Sequence, residues 1–157
     1  MELRTLQFSS LDDIAKEVLS LKTSGYHRQG NWGLAAICDH LADWMTFPMD
    51  GFPKMSFPLR CLLSVMKNLQ GKRMFRKILA TKQLAKGAPT IPQTIHVDSN
   101  EEDTAVQRYL QSIERLKTFR GPIHSSPLFG EMTYDELVAL QLIHAAHHLR
   151  FLEPEKT

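Results

Sequence analysis

The feature that most constrains the fold is a repeated pattern of apolar residues at helical spacing, which starts at a capping signal and stops at glycine or proline. "SLDDIAKEVLSLKTS" begins with Ser10 and carries Asp13 three residues later, the spacing of a capping box. Thr133 and Glu136 repeat this spacing before "YDELVALQLIHAAHHLRFLE", which runs to Pro154. The pattern predicts a helix at each place and gives very little strand signal.

Two further main helices are predicted between these. "GLAAICDHLADWMTF" stops near Pro48 and Gly51, and "SNEEDTAVQRYLQSIERLKTF" has Ser99 and Glu102 in capping-box spacing. The long segment between them has helical patterns at "PLRCLLSVMKNLQ" and "KRMFRKILATKQL", and helix-breaking residues end it: Gly87, Pro89 and Pro92. The sequence therefore predicts an all-α fold, a four-helix bundle with a long crossover connection between helices 2 and 3.

Length and composition indicate an ordinary globular protein. The 157 residues suit a single domain over 1–157, and the 43% hydrophobic and 23% charged content argues against disorder. No apolar run approaches the roughly 18 residues of a membrane span, and the N-terminus does not resemble a signal peptide. Cys38 and Cys61 are far apart, so a disulfide scaffold is not expected. We expect a cytoplasmic protein with no membrane partner.

Positive charge is concentrated in the middle of the chain. No acidic residue occurs between Asp50 and Asp98, whereas nine basic residues do: Lys54, Arg60, Lys67, Lys72, Arg73, Arg76, Lys77, Lys82 and Lys86. We expect a solvated connection whose charge is balanced by acidic neighbours in space. The alternative is a docking surface for an anionic partner, although nucleic acid is not the partner that we expect.

Three histidines lie close together in "HAAHHLRFL" near the C-terminus. His144 and His148 are four residues apart and therefore share one face of a helix, the usual way for one helix to give two nitrogen ligands to a metal. Leu137 and Gln141 continue the same face towards the start of the helix. His147 is turned about 100° away from His148, but at i+3 from His144 it stays open as an alternative ligand.

A third ligand is available from the second helix, where His40 lies beside the apolar face of "ICDHLADW". Three neutral imidazoles leave the charge of a divalent ion uncompensated, so such a site acidifies a bound water or thiol and keeps a position open for substrate. The competing interpretation is that the histidines are structural. Three others fall in loops and are expected to be exposed: His27, His96 and His124.

Neighbouring polar residues have two possible roles each. Gln141 could orient a bound nucleophile, but we expect it to fill the core. Asp39 or Asp43 could accept a hydrogen bond from an imidazole N–H, but we expect both on a solvated helix face. The sequence contains no H-E-x-x-H, no E-x-x-H, no G-x-S-x-G and no P-loop motif.

The C-terminal stretch "HSSPLFGEMTYDELVALQLIHAAHHLRFL" resembles the end of DinB-like (DinB/YfiT) proteins, in which a Pro- and Gly-containing loop leads into a last helix with H-x-x-x-H. His144 and His148 match the histidine pair, and "LAAICDHLADW" is similar to the family's second helix, where His40 fits the first metal histidine. The loop residues that match are Pro127, Phe129, Gly130, Met132 and Thr133. The H-x-x-H-H ending resembles one subgroup of this superfamily.

The resemblance implies a four-helix bundle in which His40, His144 and His148 hold a divalent ion, zinc or nickel. Members of the superfamily include S-transferases that use low-molecular-weight thiols such as bacillithiol or mycothiol, and a maleylpyruvate isomerase. The implied function is thus that of a metal-dependent transferase or hydrolase that acts on a small-molecule substrate. Homodimers are frequent among resembling bundles. No thiol-recognition residue can be matched, and the alternative is a non-catalytic module that docks through residues 54–86.

Overall fold

The computed structural model describes residues 3–84, 91–97 and 101–155. In this part the chain is mostly helical, as predicted, and two short strands form an antiparallel pair. The elements in chain order are α1 (Leu11–Ser24), β1 (Tyr26–Arg28), α2 (Leu34–Asp50), α3 (Phe57–Met66), a π-helical turn (Lys67–Gly71), α4 (Lys72–Thr81), a 3-10 turn (Pro92–Thr94), α5 (Glu102–Thr118), α6 (Tyr134–Leu149) and β2 (Leu152–Pro154).

Both capping boxes form where the spacing predicts them. The Asp13 N–H donates to the Ser10 hydroxyl at 3.2 Å, and the Ser10 N–H donates to the Asp13 carboxylate at 3.0 Å. Thr133 and Glu136 exchange the same pair of bonds at 3.2 and 2.9 Å. These bonds use amide groups that have no partner within the helix, which is why α1 and α6 begin at these positions.

Two predicted helix ends are wrong. Ser99 lies outside the described residues, and α5 begins at Glu102 after Glu101, so Glu102 is the first residue of the helix and not the third residue of a capping box. The last helix ends at Leu149 and does not reach Pro154, because residues 152–154 form β2. The backbone of β2 pairs with β1, far earlier in the chain, with Tyr26 opposite Pro154.

One hydrophobic core is shared by α1, α2, α5 and α6. Helix α2 packs along α5 and α6, and α1 packs against the same two helices. The largest fully buried side chains come from all four helices, among them Ile14, Leu41, Met45, Tyr109, Ile113 and Leu137. At about 1.5–3 kcal/mol for each large apolar side chain removed from water, this core dominates the packing energy.

The predicted helical character of the basic segment is confirmed. The predicted balance of its positive charge by nearby acidic residues is not. Helix α4 packs on α6 and buries Phe75 and Ile78, whereas α3 has no buried residue. Among the described residues, no basic side chain from Lys54 to Lys82 lies within ion-pair distance of a carboxylate. Across the described ranges, no helix has both the length and the apolar character that crossing a bilayer requires.

Candidate metal centre

The fold brings the three predicted histidines together. His40 lies in the middle of α2, and His144 and His148 lie one turn apart on α6. The Nε2 atom of His144 is 3.2 Å from Nε2 of His40 and 3.1 Å from Nε2 of His148. One ring nitrogen from each of the three residues lies within 4.8 Å of the others, so the group can hold a metal ion.

The spacing of the nitrogens suits a small tetrahedral ion. Nitrogen ligands at zinc distances and tetrahedral angles lie roughly 3.3 Å apart, close to the two Nε2 separations of 3.1 and 3.2 Å. Nε2 of His144 belongs to both pairs and in a neutral ring carries either one proton or one lone pair, so it can complete a hydrogen bond with only one of its two neighbours. Neutral rings therefore leave nitrogen lone pairs in this group without a proton donor. A cation among the rings would satisfy those lone pairs, and the residues present therefore fit a divalent ion.

Burial keeps these imidazoles in the form that binds metal. Burial lowers the pKa of His40, although its hydrogen bond to Thr94 acts in the opposite direction. The pKa of His144 lies well below its ordinary value, and that of His148 falls to about 2, because burial and then neighbouring positive charge disfavour the protonated ring. All three rings are neutral at pH 7, as metal ligation requires.

The orientation of His40 is fixed by a backbone group. Its Nδ1 lies 2.8 Å from the carbonyl oxygen of Thr94, in the 3-10 turn. Because a carbonyl can only accept, Nδ1 carries the proton and Nε2 presents its lone pair to the other rings. Sequence reasoning did not identify Thr94, because every residue has a backbone carbonyl and the side chain gives no sign of this role. The one available signal was general: a metal-ligating histidine usually donates its second ring N–H to some acceptor.

Asp43 is buried, so its predicted place on a solvated helix face is wrong. Its carboxylate accepts from Arg108 of α5 and lies 2.7 Å from Nε2 of His96, while Arg108 also donates to Asp39 at 2.8 Å. His96 is consequently half-buried and not exposed as predicted. This ionic network attaches residues 91–97 to α2 and α5, one turn along α2 from His40.

The remaining histidines lie outside the three-histidine group. His147 has its ring centroid 5.0 Å from that of His148 and its Nδ1 3.5 Å from the Arg150 guanidinium. The alternative in which His147 pairs with His144 is not the arrangement observed. His27 and His124 are exposed, as predicted.

A cavity of about 350 Å³ adjoins the histidines. Its walls are aromatic and aliphatic and include Trp32, Trp44, Phe52, Phe129, Met132 and Leu137, together with the three histidines and His147. Trp32 stacks on His148 with ring centroids 5.6 Å apart and an angle of 14° between the planes. The volume lies within the range of small-molecule sites.

Gln141 is buried, as expected, but it lines the cavity and is not part of the hydrophobic core cluster. Its Nε2 donates to the Trp44 carbonyl at 3.1 Å. The Gln141 Oε1 and Trp44 Nε1 atoms are buried and have no hydrogen-bond partner among the described residues. Three converging ring nitrogens that could hold a metal ion, next to a cavity, have the composition of a binding site.

Comparison with known proteins gives a family and no activity. No curated protein and no solved structure gives a significant match. A family model covers residues 1–155, almost the whole chain. On this match the chain belongs to the family described as "Protein of unknown function (DUF1569)".

Proposed function

We propose that this protein is a divalent-metal-dependent enzyme that acts on a small molecule, with His40, His144 and His148 as the metal ligands. The observation that carries the proposal is the convergence of three neutral imidazoles beside a cavity of about 350 Å³, with Nε2 of His144 3.1–3.2 Å from Nε2 of the other two. A structural site is usually closed by four protein ligands, often thiolates. Among the described residues the group has three members and no cysteine, which favours a site with a position open to substrate.

The chain's own residues supply orientation and a dry environment. When bound, a divalent ion with three neutral ligands lowers the pKa of a thiol or water and polarises an electrophile. The Thr94 carbonyl holds His40 in one tautomer, and Trp32 covers one face of His148. The apolar walls strengthen electrostatic interactions within the cavity because they exclude water.

The finer proposal is a DinB-like enzyme with a low-molecular-weight thiol as nucleophile. In it α1, α2, α5 and α6 form the four-helix bundle, and residues 51–101 form the long connection between the second and third bundle helices. The core shared by these helices supports this arrangement. Gly130 has a φ of +84° in the loop before α6, where the resemblance places a glycine. Zinc and nickel are the proposed metals because both accept imidazole ligands.

Metal analysis of protein purified without a histidine tag tests the proposal. We expect about one zinc or nickel ion per chain, lost in His40→Ala and in His148→Ala. The control His124→Ala should retain the ion, because His124 is an exposed histidine outside the group. Wild-type protein that is folded by circular dichroism but takes up neither metal when supplied with it would contradict the metalloenzyme.

A second candidate function is docking through α3 and the π-helical turn, where apolar side chains face solvent beside basic residues that have no carboxylate partner within the described part of the chain. Phe57 and Leu69 are 74% and 75% exposed, and Leu62 and Val65 are more than half exposed. An anionic lipid surface satisfies both the apolar and the basic groups. This candidate departs from the prediction of no membrane partner, and it requires no spanning helix.

Vesicle binding tests the second candidate. We expect sedimentation with phosphatidylcholine vesicles that contain phosphatidylserine, much less with phosphatidylcholine alone, and a loss of binding as salt increases. Leu69→Ser should weaken sedimentation, whereas Leu19→Ser, at a 46% exposed leucine of α1, should not. Equal recovery of both variants with the anionic vesicles, or no binding by wild type, would remove this candidate.

The predicted homodimer and cytoplasmic location stay predictions.

A further inference from the structure

The cavity beside the histidines is shaped by flat rings. Trp44 packs edge-on against Phe52 and His144, with ring centroids 6.4 and 6.1 Å away, and Trp32 stacks on His148. Aromatic walls favour a planar aromatic ligand, because the faces and edges of aromatic rings attract one another more strongly than the buried area alone accounts for. The cavity thus selects for shape as well as for hydrophobicity.

The same walls offer nothing to a charged group. None of the described residues that line the cavity is an Asp, Glu, Lys or Arg. A charge buried against such a surface is strongly disfavoured unless an opposite charge pairs with it. A bound divalent ion could pair with one anionic atom, but a ligand with further charges along its body would leave them unpaired.

Two residues that line the cavity each have a buried polar atom without a hydrogen-bond partner among the described residues. Trp44 Nε1 is a donor from α2, and Gln141 Oε1 is an acceptor from α6, one turn before His144. Gln141 is only 3% exposed, and its Nε2 donates to the Trp44 carbonyl. This bond fixes the orientation of the amide and leaves Oε1 as the atom without a hydrogen bond. Buried polar atoms in native proteins almost always have partners.

We propose that the cavity binds a ligand with an uncharged aromatic body and one neutral polar group, such as a carboxamide, that donates to Gln141 Oε1 and accepts from Trp44 Nε1. This inference rests on the proposed function, for which it names the substrate class. It makes Gln141 and Trp44 the specificity-determining residues.

The test uses benzamide and benzoate, which have the same ring and differ in charge, with the Trp44 indole N–H signal in nitrogen-proton NMR spectra as readout. Metal-free protein isolates the cavity from any metal contribution. We expect saturable shifts with benzamide and binding of benzoate about tenfold weaker or more, since its charge finds no partner. Gln141→Leu should weaken benzamide binding roughly fivefold or more by removing one acceptor, and the exposed Gln107→Leu should not.

Benzoate binding as tightly as benzamide to the metal-free protein, or an unchanged benzamide affinity in Gln141→Leu, would overturn the inference. If metal removal unfolds the protein, the comparison of Gln141→Leu with wild type in the zinc-loaded form decides the question by the same criterion. The two proposals fail separately. If the protein binds zinc but benzamide does not shift the Trp44 signal, the metal site stands and the proposed ligand class is wrong. If the protein binds benzamide but takes up no metal, the ligand class stands and the metal site is wrong.

Discussion

His144 lies at the centre of the histidine cluster, because its Nε2 is within 3.2 Å of a ring nitrogen of both His40 and His148. His40 and His148 are each held by a contact that His144 lacks: the Thr94 carbonyl for one and the stacked Trp32 ring for the other. Removing His144 would therefore leave two oriented ligands without the nitrogen that joins them.

The two cysteines should differ sharply in reactivity. Cys38 is buried in α2, and burial raises the pKa of its thiol far above the ordinary value, so it forms almost no thiolate. Cys61 is exposed on α3. We expect one maleimide label per native chain, on Cys61, and two labels after denaturation, as measured by mass spectrometry of peptides. Labelling of Cys38 in the native protein would contradict this placement.

Single-residue reasoning from sequence could identify His144 and His148, because their spacing places both on one helical face whatever they pack against. It could propose His40 from its position beside an apolar face. It could not find Thr94 or the burial of Asp43, since a backbone carbonyl and a buried ion pair depend on segments that meet only in three dimensions.

Among the elements, α6 is the one that positions the site, and its start is fixed by the capping box at Thr133. We expect Thr133→Ala to lower the free energy of unfolding by about 1 kcal/mol, the usual cost of losing a side-chain cap. Urea denaturation measures the change. Thr23→Ala is a suitable control, because its exposed hydroxyl bonds to the Leu19 carbonyl at the end of α1 and caps no amide. Equal stability of wild type and Thr133→Ala would count against the cap.

The π-helical turn packs closely on the loop before α6. A Cβ atom on Gly71 would run into the carbonyl oxygen of Leu128, a backbone atom that cannot simply rotate away, and Leu128 lines the cavity. We expect Gly71→Ala to lower thermal stability and to weaken benzamide binding. A Cβ on Gly121 would meet only the movable Phe119 ring, so Gly121→Ala should change both properties less. The reverse order of effects would contradict this packing.

The elements that sequence predicted best are those with local signals. Helices α1 and α2 match their patterns closely, because apolar periodicity and caps are contained within each segment. The strands β1 and β2 were missed, since each has three residues and is defined only by its partner. The same pairing explains why helix α6 ends before Pro154.

For the molecule as a whole, metal binding should contribute directly to stability, because the ligands come from two helices that separate on unfolding. A ligand at a hundred times its Kd adds about 2.7 kcal/mol to folding, which corresponds to a rise in Tm of roughly 5–10 °C for a chain of this size. We expect that rise when zinc is added to EDTA-treated wild type, followed by scanning fluorimetry. No rise should occur in His148→Ala; equal rises in both proteins would place the zinc elsewhere.

The bond from His40 to Thr94 also has a thermodynamic consequence for the segment of residues 91–97, which lies between α4 and α5. The Thr94 carbonyl orients His40, so docking of residues 91–97 should strengthen metal binding. Because coupling between two equilibria is reciprocal, a bound metal ion should stabilise the docked position of this segment by the same free energy. The backbone amides of residues 91–97 would then exchange with solvent more slowly in the metal-loaded protein. Hydrogen exchange in this segment, which precedes α5, would in this way report whether an ion is bound at the three histidines.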